Sequence, residues 1–457
     1  MTTYDILVIG GGPAGITISK VINGKMKVGI IRPEEHSMIY CSMPYVIEKI
    51  IPLEKTFKKD CIVTDSGADL IRDSVIRIDF DNKKVHTKNN NVYGYSKLVI
   101  ATGAVPVLPP IPGKQLKRVL TFKTENDLRN IMAYCKSGLI SNAVVVGAGA
   151  IGVELAQALN TIGVETHLVD MADTILSAML DREMVDEAEC ALTQAGILLH
   201  LNSKVVELKG SDTVEQVILD DGQVITLQDA DDSKTTKDTI IKKGIVVFAV
   251  GMKVNNELFK DSNLLIGRDG IIVNDKMETN IENIYAVGDC AQFTSGITKE
   301  VISGKLATNA VPMAKVFAQN MLGSKKGYPG FFNGAATKIG SYFAGGTGLT
   351  EQAAQSSIDT LSGYSELSTI FPNMPGAKKI RMKMVAERAT LRVIGAQFMS
   401  GEPVTDKVDV ITLAIQNNLT VEDLAELSYS SQPYQSFFPA SNLIVAAAED
   451  ILNKASV

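Results

Sequence analysis

The chain has 457 residues, 45% of them hydrophobic and 21% charged, a length that suits two or three domains and a composition that supplies a large buried core. A formal charge of −6 and a pI near 5.5 argue against a nucleic-acid partner, because phosphate binding needs a basic surface. The sequence contains no apolar run long enough to span a bilayer and no signal-peptide pattern ahead of its first strand-like segment, so a cytoplasmic protein without a membrane partner is expected.

The first predicted element is a buried strand, Tyr4-Asp5-Ile6-Leu7-Val8-Ile9, running into Gly10-Gly11-Gly12-Pro13-Ala14-Gly15. In such a turn Gly10 permits the sharp bend, Gly12 lets backbone approach a pyrophosphate, and Gly15 lets the following helix pack on the strand. Pro13 and Ala14 open that helix, whose free N–H groups and dipole favour an anion. The unit closes with a second strand near Ile31, where a ribose-binding acid is expected. The residues there are Arg32-Pro33-Glu34-Glu35, so either Glu34 takes the ribose slightly later or Arg32 contacts the adenosine instead.

Cys41 follows, within Ser37-Met38-Ile39-Tyr40-Cys41-Ser42-Met43-Pro44-Tyr45. Leu98-Val99-Ile100-Ala101-Thr102-Gly103 reads as a strand meeting a tight turn, and the proline-rich stretch from Val105 to Gly113 reads as a linker. A second strand–turn–helix unit begins at Ala143, with Gly147-Ala148-Gly149-Ala150-Ile151-Gly152 and then Glu154. Its closing strand, Thr166-His167-Leu168-Val169, ends in Asp170, at the spacing of an acid that accepts hydrogen bonds from both ribose hydroxyls and repels a 2′-phosphate. Met171-Ala172-Asp173 offers no arginine, which favours NADH over NADPH.

A related strand, Ile245 to Gly251, comes next, followed by Ile284-Tyr285-Ala286-Val287-Gly288-Asp289-Cys290 and a helix-like run from Leu306 to Asn320. After about Gly334 strand-like pieces (Arg381 to Val385, Val393 to Phe398) mix with helix-like ones (Val408 to Gln416), and Thr420-Val421-Glu422-Asp423 is a capping-box pattern. The five cysteines, Cys41, Cys61, Cys135, Cys190 and Cys290, are scattered without a C-x-x-C pair, which argues against a disulfide framework or a structural zinc site.

Two such glycine turns, Ala101-Thr102-Gly103 and Gly288-Asp289 together resemble the pyridine nucleotide–disulfide oxidoreductases over essentially the whole length. The resemblance implies an α/β fold with two Rossmann-like dinucleotide-binding domains, one for FAD and one for NAD, plus a C-terminal α+β dimerisation domain. The implied boundaries are 1–113 and 251–330 for the FAD domain, 114–250 for the NAD domain and 331–457 for dimerisation, with Gly346-Thr347-Gly348-Leu349-Thr350-Glu351 matching a strand–turn of the last. Asp289 would bind the FAD ribitol, and the helix opening at Leu306 and Ala307 would cover the flavin pyrimidine. Val75, Ala101, Thr102, Gly103 and Gly288 complete the implied FAD set. Gly147, Gly149, Ile151, Gly152, Glu154, Asp170, Val250 and Gly251 form the NAD set.

Family members resembling glutathione reductase carry C-x-x-x-x-C, but here Val46 replaces the second cysteine. The chain therefore resembles the single-cysteine branch, which includes coenzyme A-disulfide reductases, persulfide reductases, and NADH oxidases and peroxidases. Its four histidines, His36, His86, His167 and His200, leave no C-terminal histidine for acid–base work. The first turn also lacks the histidine of the peroxide-handling members. The disulfide-reductase branch uses a tyrosine of the partner subunit, and Tyr434, then Tyr429, are the candidates here. The other tyrosine-bearing stretch of that branch aligns with Ser368 to Gly376, where Phe371 stands and no tyrosine does. Lys20, Lys25 and Lys27 match the arginine-rich run that holds coenzyme A, and a solvated helix end is the competing reading. Cys290 is expected to be packed and the other cysteines structural.

Three functions compete on this reading: an NADH-dependent reductase of a small-molecule disulfide or persulfide acting through Cys41, an NADH oxidase using a Cys41 sulfenate, and a redox-sensing carrier. A homodimer with shared active sites is implied.

Overall fold

The computed structural model describes residues 1–136, 140–227 and 243–456. Two compact units emerge, one of Met1–Val46, Ile51–Pro106 and Gly251–Phe331, the other of Ile47–Ile50, Val107–Val250 and Phe332–Val457.

The first unit is built on a seven-stranded sheet in the order Asp69–Arg72, Val28–Arg32, Thr2–Ile9, Val92–Ile100, Lys84–Thr87 and Val75–Asp79, with Ile284–Ala286 also paired to Val92–Ile100. Val28–Arg32 and Val92–Ile100 run parallel to Thr2–Ile9 on its two sides, whereas Val75–Asp79 and Lys84–Thr87 form an antiparallel ribbon. All five residues of Val28–Arg32 are buried, as a strand covered on both faces requires. Strand order reverses at Thr2–Ile9, so a crevice opens beyond its carboxyl end, the place where doubly wound sheets receive ligands. Helices Pro13–Ile22 and Ala307–Met321 cover the sheet, and Ile6, Leu7, Ile18, Ile30, Leu98 and Phe317 lie in the core below.

The second unit repeats the plan on a smaller scale. Five parallel strands run in the order Val119–Thr121, Ile245–Phe248, Asn142–Val146, Glu165–Val169 and Leu198–His200, again reversing at the strand that precedes a glycine turn. Its second sheet is antiparallel: Ala335–Ile339, Tyr342–Gly348, Val393–Ser400, Lys379–Glu387 and Thr360–Ser368, with helices Thr405–Gln416 and Leu443–Ala455 packed on it. Thr420 caps the helix Val421–Ala425 with the reciprocal bonds to Asp423 that its spacing predicts.

The proline-rich stretch is not linker throughout. Val105–Pro106 pairs with Met252–Lys253, a two-residue edge that tolerates Pro106 because an edge strand spares one donor. The cysteines also depart in part from expectation. Cys290 is fully buried, but Cys61 and Cys190 are exposed and so contribute little to any core.

Candidate functional site

The two glycine turns have nearly the same geometry. Gly10 has φ +121° and Gly147 φ +108°, a region that side chains avoid. A β-carbon at Gly10 would stand 2.0 Å from the Ala101 carbonyl oxygen, and one at Gly147 would stand 2.6 Å from that of Ala249. Gly15 and Gly152 would likewise collide with the carbonyls of Gly10 and Gly147, at 2.3 and 1.7 Å. These four glycines are fixed by the protein's own packing. Gly12 and Gly149 differ, since beyond their immediate chain neighbours no atom of the described residues lies within 4 Å of where their β-carbons would be. Each is the extended residue just before its helix, Pro13–Ile22 or Ala150–Thr161, and neither helix has an acid in its first turn. An open middle glycine beside free helix N–H groups is a cradle that fits a pyrophosphate.

In the first unit the carboxyl ends of three parallel strands converge on this cradle. Gly288, at φ +75°, would put a β-carbon 3.2 Å from the Ala310 methyl and 3.7 Å from that of Ala14, so it joins the first turn to the helix Ala307–Met321. Asp289 follows it on a short 3₁₀ turn, Gly288–Cys290. Lys305, 7% exposed, steadies that turn by donating to the Asp289 carbonyl (3.2 Å) while paired with Asp269 (3.0 Å); sequence reasoning passed over both residues. The Cys290 thiol lies 3.2 Å from the Ile100 carbonyl oxygen. Burial pushes its pKa up to about 11, against hydrogen bonding from Thr102 and Gly103. This links Ala101-Thr102-Gly103 to the Asp289 turn. Leu306 caps the helix and is half-buried, while Ala307 is exposed. Glu34 is exposed and Val75 half-buried, three residues beyond Arg72.

Arg32 is 2% exposed, and its guanidinium pairs with Asp60, which also binds Arg72. Neither Asp60 nor Arg72 was singled out by spacing. The signal available was that Ile30-Ile31-Arg32 and Leu70-Ile71-Arg72 end two strands alike, and these strands pair in parallel with Arg32 opposite Arg72.

Cys41 is exposed on the 3₁₀ turn Tyr40–Ser42. Ser37–Met38 pairs with Phe57–Lys58, Ile39 N–H donates to the Thr56 carbonyl and Ser42 N–H to that of Ile39. Met43 and Val46, the residue in place of a second cysteine, are buried and anchor the segment. His36 stacks on Phe57 at 4.6 Å.

In the second unit, Asp170 accepts hydrogen bonds from the N–H groups of Ala148 and Ala172, which fixes its carboxylate beside the second turn. Ile151 is 42% exposed. Glu154, on the same helix, accepts a bond from the Thr337 hydroxyl at 2.7 Å. Burial raises its pKa, against that bond and with repulsion from Glu48 adding to the rise. Val250 closes a segment of this unit, and Gly251 opens one of the other. The remaining histidines are engaged: His167 Nδ1 lies 3.0 Å from His200 Nε2, and His86 lies 3.5 Å from Arg77.

Tyr429 and Tyr434 lie on the second unit's C-terminal segment, 39% and 60% exposed. Tyr429 donates its hydroxyl to the Pro439 carbonyl at 2.9 Å. The Tyr434 hydroxyl has no partner among the described residues. Phe371 N–H donates to the Pro433 carbonyl (3.1 Å), so the two stretches matched to tyrosine-bearing segments meet one another.

Residues 4–314 match the model of the pyridine nucleotide-disulphide oxidoreductases, and 335–436 match the dimerisation domain of the same group. The chain belongs to that family. It is a flavin-dependent oxidoreductase of Rossmann architecture with a dimerisation domain, and the family implies FAD and NAD(P)H as cofactors. It is 34% identical to an NADH oxidase of Methanocaldococcus jannaschii, over 98% of this chain and 99% of that one. It is 31% identical to a coenzyme A-dependent NAD(P)H sulfur oxidoreductase of Pyrococcus abyssi, over 93% and 94%. The structure of an NAD-dependent persulfide reductase from A. fulgidus superposes with a TM-score of 0.89 at 28% identity, covering 99% of this chain and 83% of that one. Among the described residues no helix is long and apolar enough to cross a membrane.

Proposed function

We propose that this oxidoreductase takes hydride from NADH and reduces a small-molecule disulfide or persulfide through Cys41, with coenzyme A species and polysulfide the leading substrates. The observation that carries the reading is the exposed Cys41, held on an anchored turn in the unit with the first glycine turn. Its support from relatives is the sulfur oxidoreductase and persulfide reductase likeness. NADH is favoured over NADPH because the fixed Asp170 carboxylate repels a 2′-phosphate.

FAD, when bound, supplies the two-electron chemistry between nicotinamide and sulfur. Cys41, as thiolate, attacks one sulfur of the substrate: the Cys41–sulfur bond forms, the substrate S–S bond breaks, and the second sulfur leaves as a thiolate. That thiolate takes a proton, and Tyr434 of the partner subunit is the proposed donor because its hydroxyl is unengaged among the described residues where that of Tyr429 is committed. Two electrons from NADH then cleave the Cys41 mixed disulfide, so that NADH, one proton and one disulfide give NAD⁺ and two thiols. Lys20, Lys25 and Lys27, all exposed, are the proposed contacts to coenzyme A phosphates.

A second reading is NADH oxidation by oxygen through a Cys41 sulfenate, favoured by the NADH oxidase relative. The test is stopped-flow reduction of the flavin by NADH and NADPH, then reoxidation by coenzyme A disulfide, polysulfide or oxygen, in the wild type and in Cys41→Ser. Sulfur acceptors should outpace oxygen, and Cys41→Ser should keep flavin reduction while its sulfur rates fall to background. Loss of a fast oxygen reaction in that variant would favour the oxidase. Unchanged rates with every acceptor would end the Cys41 mechanism.

A further inference from the structure

The strand Val28–Arg32 ends beside the first glycine turn in a cation, where a dinucleotide site of this kind ordinarily presents a carboxylate to the adenosine ribose. Arg32 and Arg72 stand opposite one another at the ends of adjacent parallel strands, and two guanidinium groups so placed repel unless an anion lies between them. Asp60 is that anion: one of its oxygens takes Arg32 and the other takes Arg72. The Glu35 carbonyl accepts from both arginines, at 3.1 and 3.4 Å.

The clamp reaches the turn itself. A β-carbon at Gly11 would stand 2.4 Å from Cδ of Arg32, so the Arg32 stem lies across the glycine turn. One bond beyond that carbon, Nε is buried and has no hydrogen-bond partner among the described residues, within a side chain only 2% exposed. The Asp60 carboxylate is 31% exposed, and a carboxylate has about four acceptor positions, more than two arginines use. Two guanidinium groups and one carboxylate leave a net positive charge, which suits a neighbouring pyrophosphate.

We propose that Asp60, clamped between Arg32 and Arg72, is the carboxylate that receives the adenosine ribose hydroxyls of FAD, replacing the acid the strand end lacks. This rests on the flavoprotein reading above and assigns the adenosine end of that site. Because both guanidinium groups hold Asp60 before the ligand arrives, binding requires little reorganisation of the carboxylate.

The test measures flavin affinity rather than turnover. FAD, FMN and an FAD lacking the adenosine 2′-hydroxyl are titrated against flavin-stripped wild type, Asp60→Asn, and Asp60→Asn/Arg72→Gln, in which the like-charge pair is also relieved. Thermal melts check the fold of each. Asp60→Asn should bind FAD roughly 10- to 100-fold more weakly, as expected for losing hydrogen bonds to a charged group. Its FMN affinity should be unchanged, and it should no longer discriminate FAD from the deoxy analogue. Equal weakening toward FAD and the deoxy analogue would make Asp60 a purely structural spacer between arginines, and unchanged FAD affinity in the folded double variant would also overturn the assignment. Failure of the wild type to carry or take up any FAD would instead remove the flavoprotein reading, a separate outcome.

Discussion

At the scale of single residues the glycines of each turn separate into those the fold needs and those left open for a ligand. Gly149 has φ −70° and empty space where a methyl would go. Gly149→Ala should therefore fold as well as the wild type, or gain the roughly 0.4–1 kcal/mol that replacing a compatible glycine confers. The methyl would stand where a pyrophosphate must approach, so NADH affinity should fall. Gly10→Ala should do the reverse, costing at least about 1–3 kcal/mol of backbone strain before its collision with the Ala101 carbonyl is counted. Melting midpoints and NADH titrations check the pair, and undiminished NADH binding by Gly149→Ala would disprove the cradle. Asp60 belongs to the same scale, for it acts on the first turn through one side-chain pair and leaves no trace in local spacing.

Among the elements, the strand Lys379–Glu387 carries a buried charge cluster. It runs between Thr360–Ser368 and Val393–Ser400, and seven of its nine residues are buried, yet Lys383 points its ammonium at Asp181 (2.9 Å), Glu351 (2.7 Å) and Glu183. Those carboxylates meet the spacing of a metal cluster, but the lysine supplies the cation. Burial would depress the Lys383 pKa, and its three carboxylate partners outweigh that and raise it. Burial would raise the Asp181 pKa, and hydrogen bonds from Lys383, Gln397 and the Gln352 N–H outweigh that and lower it. A lowered acid stabilises the fold above its unfolded value of 3.8 and loses that contribution as pH falls through the folded value. A raised base stabilises below 10.5 and loses it as pH rises through the folded value. Lys383→Met should therefore cost about 3–5 kcal/mol near neutral pH, the usual result of stranding one side of a buried pair. The deficit should narrow below pH 4. Melting curves of both proteins from pH 3 to 8 measure it, and a deficit constant across that range would refute the ion-pair account.

For the whole molecule, the proposed chemistry draws Cys41 from one subunit and Tyr434 from the other, which a two-fold dimer permits because each subunit gives and receives the same surface. Cys41→Ser homodimers and Tyr434→Phe homodimers should each be impaired, the latter by about 10²-fold or more for a lost proton donor. Dissociated and remixed, half of the dimers carry one intact site, so activity should return to roughly a quarter of wild type. Mixtures that regain nothing, although mass measurement detects the heterodimer, would place both residues' work within one chain.

The sequence alone determined the family, both glycine turns, the strands feeding them and the capping box at Thr420, because each is written in neighbouring residues: a glycine at a forced φ, an acid or hydroxyl at helix spacing, a run of Val and Ile for a covered strand. It also singled out Cys41 and Asp289, whose neighbours form recognisable local patterns. The tertiary structure decided what depends on residues far apart in the chain. Asp60 meets Arg32 across 28 positions, Lys383 meets Asp181 across more than 200, and Glu154 meets Thr337 across 183. No local period marks such pairs, since a charge on a strand or loop has the same spacing whether it faces water or a partner. Folding alone brings the partners into contact, and for that reason the first turn's adenosine acid, left open between Glu34 and Arg32 by the sequence, is sought in a residue that neither the turn nor its strand contains.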